Sequence, residues 1–207
     1  YDLQRAHDDA SEQRAIAMAN RDTTSKNKAD ETMKQLVAAK KRWQERLEAA
    51  RQRRAKRQTG ALTFDQLGID HMIVDEFHLY KNLPIATALR GAKGLPGGGK
   101  GSDRAFDLHM KTQYIQGMRN GGGLTAATAT PIANSLAEMF VCQKFLDPKG
   151  LKRQGLDVFD AWVRHHAKVT SDLEYTPTGS IKTVQRFSSF SNVGPLSRDF
   201  RSFADVK

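Results

Sequence analysis

Before Gly60 this 207-residue chain contains neither glycine nor proline. That absence excludes a glycine-rich phosphate loop of the Gly-x4-Gly-Lys kind from the first 59 residues, and it removes the two residues that most readily interrupt helices. Cysteine is scarcer still: Cys142 stands alone, so the chain forms no internal disulfide and builds no cysteine-based zinc finger, and we expect a reducing, cytoplasmic setting. No apolar run approaches the ~20 residues needed to span a bilayer. The opening Tyr1-Asp2-Leu3-Gln4-Arg5 has no starting Met and no charged-then-apolar secretory pattern. Together with the close on Phe203-Ala204-Asp205-Val206-Lys207, it reads as a cut, and a fragment of a larger polypeptide is expected. Acids are also in short supply, 23 against 33 lysines and arginines, which leaves a formal net charge of +10. A basic excess of that size suits a polyanionic partner, nucleic acid being the commonest, or a solvated basic face.

What fills residues 1–60 is Ala, Gln, Lys, Arg and Glu, a helical composition. The strongest helix is predicted over Asp30 to Lys56, where Met33, Leu36, Val37, Trp43, Leu47 and Ala50 mark one apolar stripe. From Lys40 to Arg57 nine residues are basic and only Glu45 and Glu48 are acidic. Such an arm either lies along a phosphate backbone or packs its stripe on a neighbouring domain with its charges in water. Thr59-Gly60 stops it.

The texture changes at Leu62. His71-Met72-Ile73-Val74 is a short apolar run suited to a buried strand, and it ends on Asp75-Glu76. A glycine-laden loop follows from Gly91 to Gly101. Asp103 to Met118 has helical character, with Phe106, Met110, Tyr114 and Ile115 on one side. After the break at Asn120-Gly121-Gly122-Gly123, Leu124 to Thr130 reads as a second buried strand. Pro131 ends it, and Ile132 to Leu146 is predicted helical. Strand, helix, strand, helix is the rhythm of a parallel α/β sheet. The tail from Asp147 mixes polar, aromatic and turn residues without a clear period.

The chemistry concentrates at two strand ends. In an open parallel sheet, ligands bind outside the carboxyl ends of the strands. Adjacent acids at such an end can divide the work: one holds a hydrated magnesium ion, the other orients and deprotonates a water for attack on a γ-phosphate. Strand-end acids also serve as turn formers or helix caps, so Asp75-Glu76 alone decides nothing. Some fifty residues on, Thr125-Ala126-Ala127-Thr128-Ala129-Thr130-Pro131 places small hydroxyls at the second strand end, where they can hydrogen-bond the acids or simply precede a capped helix.

Taken together, the two stretches resemble the Swi/Snf-like ATPases of helicase superfamily two. Asp75-Glu76-Phe77-His78-Leu79-Tyr80-Lys81-Asn82 is similar to that family's DEAH box, motif II, with Phe77 where a small Ala is usual. Thr128-Ala129-Thr130-Pro131-Ile132-Ala133-Asn134-Ser135-Leu136-Ala137-Glu138-Met139-Phe140 is similar to motif III, with Ala129 in place of Gly. A closer resemblance, to the large helicase-and-methyltransferase proteins of phages and conjugative elements, runs from about Leu62 to the end. It rests on Leu67-Gly68-Ile69-Asp70-His71, on Gly101 to Leu108, and on Arg186 to Phe190 and Phe200 to Val206.

The resemblance implies part of a RecA-like P-loop NTPase domain: a basic helical arm over 1–60, the motif-bearing part over 61–147 and a continuation over 148–207. It also implies ATP and Mg2+ as cofactors and DNA as a partner, besides the remaining motor domains and possibly a methyltransferase domain. Asp75, with Glu76 beside it, would bind magnesium; Glu76 would activate water; His78 would couple to Thr128 and Thr130. Lys81, Asn82, Arg104 and Asn134 are candidates for nucleic acid.

Gly94-Leu95-Pro96-Gly97-Gly98-Gly99-Lys100 imitates a phosphate loop. Gly101, however, stands where Ser or Thr would hold magnesium, and no buried strand precedes it, so a surface loop is expected. His71, His78, His165 and His166 lack zinc-site spacing. Cys142 reads as a small core residue rather than a reactive thiol. Trp162 and the Phe-rich tail either stack on bases or pack on the rest of the domain. The alternative function is a non-catalytic nucleic-acid-binding module built on the basic helix. A second rival is a phosphotransferase using the Gly94–Lys100 loop.

Overall fold

The computed structural model describes residues 33–34, 37–38, 40–49, 51–52, 62–87, 101–133, 135–175 and 179–205. The chain divides into two units, one comprising Tyr1–Gly68 and Ala86–Ala88, the other Ile69–Ile85 and Leu89–Lys207. In the first, residues 40–49 are helical. Of the expected stripe, Met33, Trp43 and Leu47 are half-buried while Val37 is exposed. Leu36, Ala50 and the Gly94–Lys100 loop lie outside the described residues.

The second unit is a mixed α/β arrangement. Strand β1 (Met72–Val74) pairs in parallel with β2 (Leu124–Ala126), with Ile73 opposite Thr125. Parallel neighbours need a crossover, and helix α1 (Asp103–Met118) lies between them in the chain. Ser102 starts α1, its hydroxyl accepting from the Ala105 amide. The buried face of α1 differs from the expected one. Phe106 and Ile115 are inside, but Met110 and Tyr114 face solvent, and Ala105, Leu108, His109, Thr112 and Gln116 complete the buried side.

Strand β2 is preceded by a position that only glycine can fill. Gly123 has φ +98, and a Cβ there would stand 2.3 Å from Ile115 Cγ2 and 2.9 Å from the Asp70 carbonyl. Its carbonyl accepts from the Met72 amide, which sets the register of the two strands.

Helix α2 (Leu136–Leu146) starts four residues later than expected, because Ser135 caps it by accepting from the Ala137 amide. Asp147 closes α2 and opens the short α3 (Pro148–Gln154), its carboxylate accepting from the Gly150 amide. Helix α4 (Phe159–His166) runs directly into β3 (Ala167–Tyr175), which pairs antiparallel with β4 (Ile181–Phe190). Helix α5 (Val193–Phe203) follows. The tail from Asp147, which lacked a clear period, is thus two helices, a hairpin and a helix.

One hydrophobic core runs across residue 147. Phe77, Phe140, Phe145, Phe159, Trp162 and Leu196 all belong to it. Trp162 is fully buried, its indole donating to Gln143 Oε1 at 2.6 Å, so the aromatic packs within the unit instead of offering a face to a base. Stretches 61–147 and 148–207 therefore share their interior from Ile69 onward.

Candidate functional site

The acids sit where β1 ends and a 3-10 turn, Phe77–Tyr80, begins. Glu76 takes the left-handed conformation, φ 51 and ψ 45, which costs a residue bearing a Cβ about 1–2 kcal/mol. Two contacts offset that cost. The Glu76 amide donates to Asp75 Oδ1 at 2.8 Å, and the Leu79 amide donates to the Glu76 carbonyl at 2.9 Å. The kink turns successive side chains in different directions: Asp75 and Glu76 are exposed, while Phe77 is 1% exposed.

Phe77 explains its own departure from the small residue expected there. Its ring meets Phe145 edge-on at 5.2 Å and stacks near Tyr80 at 6.4 Å. The side chain anchors the turn in the core and leaves the neighbouring acids at the surface.

The second strand end is joined to the first beyond the β-ladder. The Ala127 amide donates to the Val74 carbonyl and the Phe77 amide donates to the Ala127 carbonyl, each at 2.9 Å. This brings Asp75-Glu76 and Thr125–Thr130 side by side, although they lie about fifty residues apart in the chain. Thr128 Oγ1 accepts from the Thr130 amide at 3.2 Å, a local turn that competes with strand pairing and ends β2 at Ala126 rather than at Thr130.

His78 does not couple to the threonines as expected. Among the described residues no hydrogen bond joins it to Thr128 or Thr130. Its Nδ1 lies 3.0 Å from Glu76 Oε2, off the direction a hydrogen bond requires. The imidazole is thus placed beside the second acid of the pair. Just before β1, His71 Nε2 is 3.0 Å from Thr125 Oγ1.

Of the residues expected to meet nucleic acid, Lys81 is committed elsewhere, while Arg104 remains exposed. Lys81 is 5% exposed, and its Nζ donates to the Thr130 carbonyl and to Glu138 Oε2, each at 2.9 Å. A buried, paired ammonium is not available to a phosphate. Arg104 donates to the Leu79 carbonyl at 3.2 Å and lies over the Tyr80 ring. Asn82 is exposed, and its carbonyl accepts from the Ser102 amide. Asn134 lies outside the described residues.

Glu138 falls within the stretch that resembles motif III, but the sequence assigned it no role. Ser135-x-x-Glu138 has capping-box spacing, which makes the glutamate look like a helix cap. Instead Oε2 reaches past the cap to the Ala133 amide at 2.7 Å while holding Lys81. Cys142 stands next to this network, its Sγ 3.6 Å from the Pro131 carbonyl. Burial pushes the Cys142 thiol up to about 12; the Lys81 ammonium pulls the other way and the Glu138 carboxylate adds to the rise. The thiol is a core group, protonated at neutral pH.

Can the acids take magnesium? Among the described residues no group of three or more His, Cys, Asp and Glu is placed to hold a metal ion. Magnesium does not ask for one: it keeps several waters and binds through one or two carboxylates plus phosphate oxygens. Asp75 and Glu76 are exposed and adjacent, and Asp75 spends one oxygen on the Glu76 amide. The pair therefore fits a hydrated magnesium ion carried in with a nucleotide.

The profile of a family described as "Probable helicase domain" matches residues 3–207. "Defense against restriction protein B" of Escherichia phage P1 is 22% identical over 158 residues, covering 70% of this chain. The chain spans 6% of the length of that relative. No solved structure matches. Among the described residues no helix is long and apolar enough to cross a membrane.

Proposed function

The chain belongs to the probable helicase domain family, and from that premise we propose that it is the part of a DNA-dependent ATPase motor, RecA-like in fold, that carries the hydrolysis acids. The supporting observation is the parallel pairing of β1 with β2, which sets Asp75-Glu76 beside Thr125–Thr130 at the carboxyl ends of both strands. That is where an α/β sheet presents its ligands. The match of both stretches, in order, to motifs II and III of Swi/Snf-like ATPases supports the same reading.

In this reading Asp75, with Glu76 beside it, would hold a hydrated magnesium ion, one Asp75 oxygen being taken by the Glu76 amide. A magnesium ion held there would supply neutralisation of the charge that develops on the phosphate oxygens. Glu76, held at the surface by the left-handed turn, orients the attacking water and takes its proton. His78 lies against the Glu76 carboxylate and limits its rotation. Thr128 and Thr130 line the second strand end and relay the nucleotide state toward the rest of the motor. The DNA partner is favoured by the +10 charge and by exposed Lys40, Lys41, Arg42 and Arg51 on the described helical segment. In a longer protein, a phosphate loop and a second motor domain would come from outside this chain.

The assignment of Asp75 is tested by a magnesium titration of ATP turnover in a longer protein that carries this chain. Asp75→Asn is expected to raise the magnesium concentration for half-maximal turnover by at least about tenfold, the scale on which metal sites respond to altered ligands. An unchanged midpoint would remove Asp75 from the magnesium site.

A further inference from the structure

We propose that Lys81 and Glu138 form a positioning clamp that fixes the Thr128–Thr130 segment relative to the Asp75-Glu76 pair; this rests on the motor reading above. The clamp consists of three contacts converging on two buried side chains. Lys81 Nζ donates to the Thr130 carbonyl and to Glu138 Oε2, and the same Oε2 accepts from the Ala133 amide. Lys81 follows directly on the Phe77–Tyr80 turn that carries the acids. Glu138 lies in the first turn of α2, just after the 130–133 loop. The pair therefore spans the two strand ends from beneath, over a separation of 57 residues.

Stability alone gives a weak reason for such a pair. Lys81 and Glu138 have side-chain exposures of 6% and 9%, so both ions lose most of their hydration. Replacing a buried ion pair by apolar side chains of similar volume is often neutral or stabilising, whereas removing one partner leaves an uncompensated charge. Directional contacts give what apolar packing lacks: Lys81 selects one backbone carbonyl in the loop, and Glu138 selects one amide. The backbone between them, Thr130 to Ala133, is pinned at both ends. Any displacement of the acid-bearing turn is then passed to that loop, and through the Thr128–Thr130 turn to its hydroxyls. Lys81 and Glu138 touch no reacting atom; they act through the segments they hold.

The test is a double substitution, Lys81→Met with Glu138→Met, read in two ways. In the 207-residue chain, Cys142 is the sole cysteine and its Sγ lies against the Pro131 carbonyl, so its labelling rate by a maleimide reports opening of the loop. The double variant should melt within a few degrees of the native chain yet label at least about tenfold faster. An unchanged labelling rate at unchanged stability overturns the clamp, whatever becomes of the motor reading.

In the longer protein the same variant should lower kcat for ATP by at least about tenfold with KM held within about twofold, the signature of positioning lost without binding lost. A double variant as active and as stable as the native protein would make the pair structural only. Glu138→Gln serves if the double variant does not fold. It preserves the shape and the Ala133 contact while loosening Lys81, and is expected to reduce kcat about fivefold. Native kcat in that variant would equally overturn the clamp. Absence of ATP turnover in the native longer protein contradicts the motor reading instead, and the labelling experiment still decides the clamp.

Discussion

Glu76→Gln in the longer protein is expected to reduce ATP turnover by about 10²–10⁴-fold, the contribution of a positioned general base, while ATP binding stays within about twofold. Glutamine keeps the length and shape of the side chain and tolerates the same backbone turn, so the substitution removes basicity with little else. The turn is central to this expectation. Glu76 occupies a left-handed conformation rarely taken by residues other than glycine and asparagine. Its amide is satisfied by Asp75 Oδ1, and its carbonyl starts the 3-10 turn. The cost of that geometry is met locally, and its product is an exposed carboxylate on a rigid support. Equilibrium binding of a fluorescent ATP analogue, alongside steady-state hydrolysis, separates the two quantities. Equal loss of binding and turnover would make Glu76 a binding group; turnover within about twofold of native would remove it from the chemistry.

The second large effect is on stability. Phe77→Ala should destabilise the chain by about 3–5 kcal/mol, the range for deleting a buried phenylalanine. Thermal unfolding followed by circular dichroism would show this as a fall in Tm of about 10 °C. The ring is 1% exposed and packed edge-on against Phe145, so its removal leaves a cavity under the turn. Phe77→Leu refills part of that space and should cost less than half as much. A native Tm in Phe77→Ala would mean that the ring does not anchor the turn and that its place in the motif has another cause.

These two neighbours show what the sequence could and could not reveal. The apolar run at Met72–Val74, the acids after it and the helix at Asp103–Met118 were legible because their signals are local: an apolar run, helical character, a glycine break. The side that α1 buries was misread, since Met110 and Tyr114 share a helical face with Phe106 and only tertiary packing decides which edge of that face is covered. The start of α2 was placed four residues early. Pro131 does favour a helix start, but the Ala133 amide is taken by Glu138, and Ser135 offers the better cap. Strand β2 was overextended because Thr128 and Thr130 have strand propensity, yet bond each other locally.

The juxtaposition of the two strand ends was legible in outline. Asp75, Glu76 and the threonines could be named from the order of two short motifs, and the structure brings those strand ends together. What lay beyond reach was the fate of the cations. Lys81 reads as a surface lysine by type, and nothing near it in the chain announces a carboxylate 57 residues away. Glu138, within the stretch resembling motif III, has capping-box spacing from Ser135, which points to a local partner instead. Pairings of that kind are made by the fold, and single-residue propensity carries no trace of them.

The central claim is that these strand ends belong to a DNA-driven ATPase. Its most direct test is the rate of ATP hydrolysis by the longer protein, with and without added DNA. The account predicts turnover that rises about tenfold or more on DNA and that disappears in Glu76→Gln with or without DNA. Binding of DNA accompanied by no hydrolysis, or by hydrolysis indifferent to both DNA and Glu76, would contradict it and leave a nucleic-acid-binding module in its place.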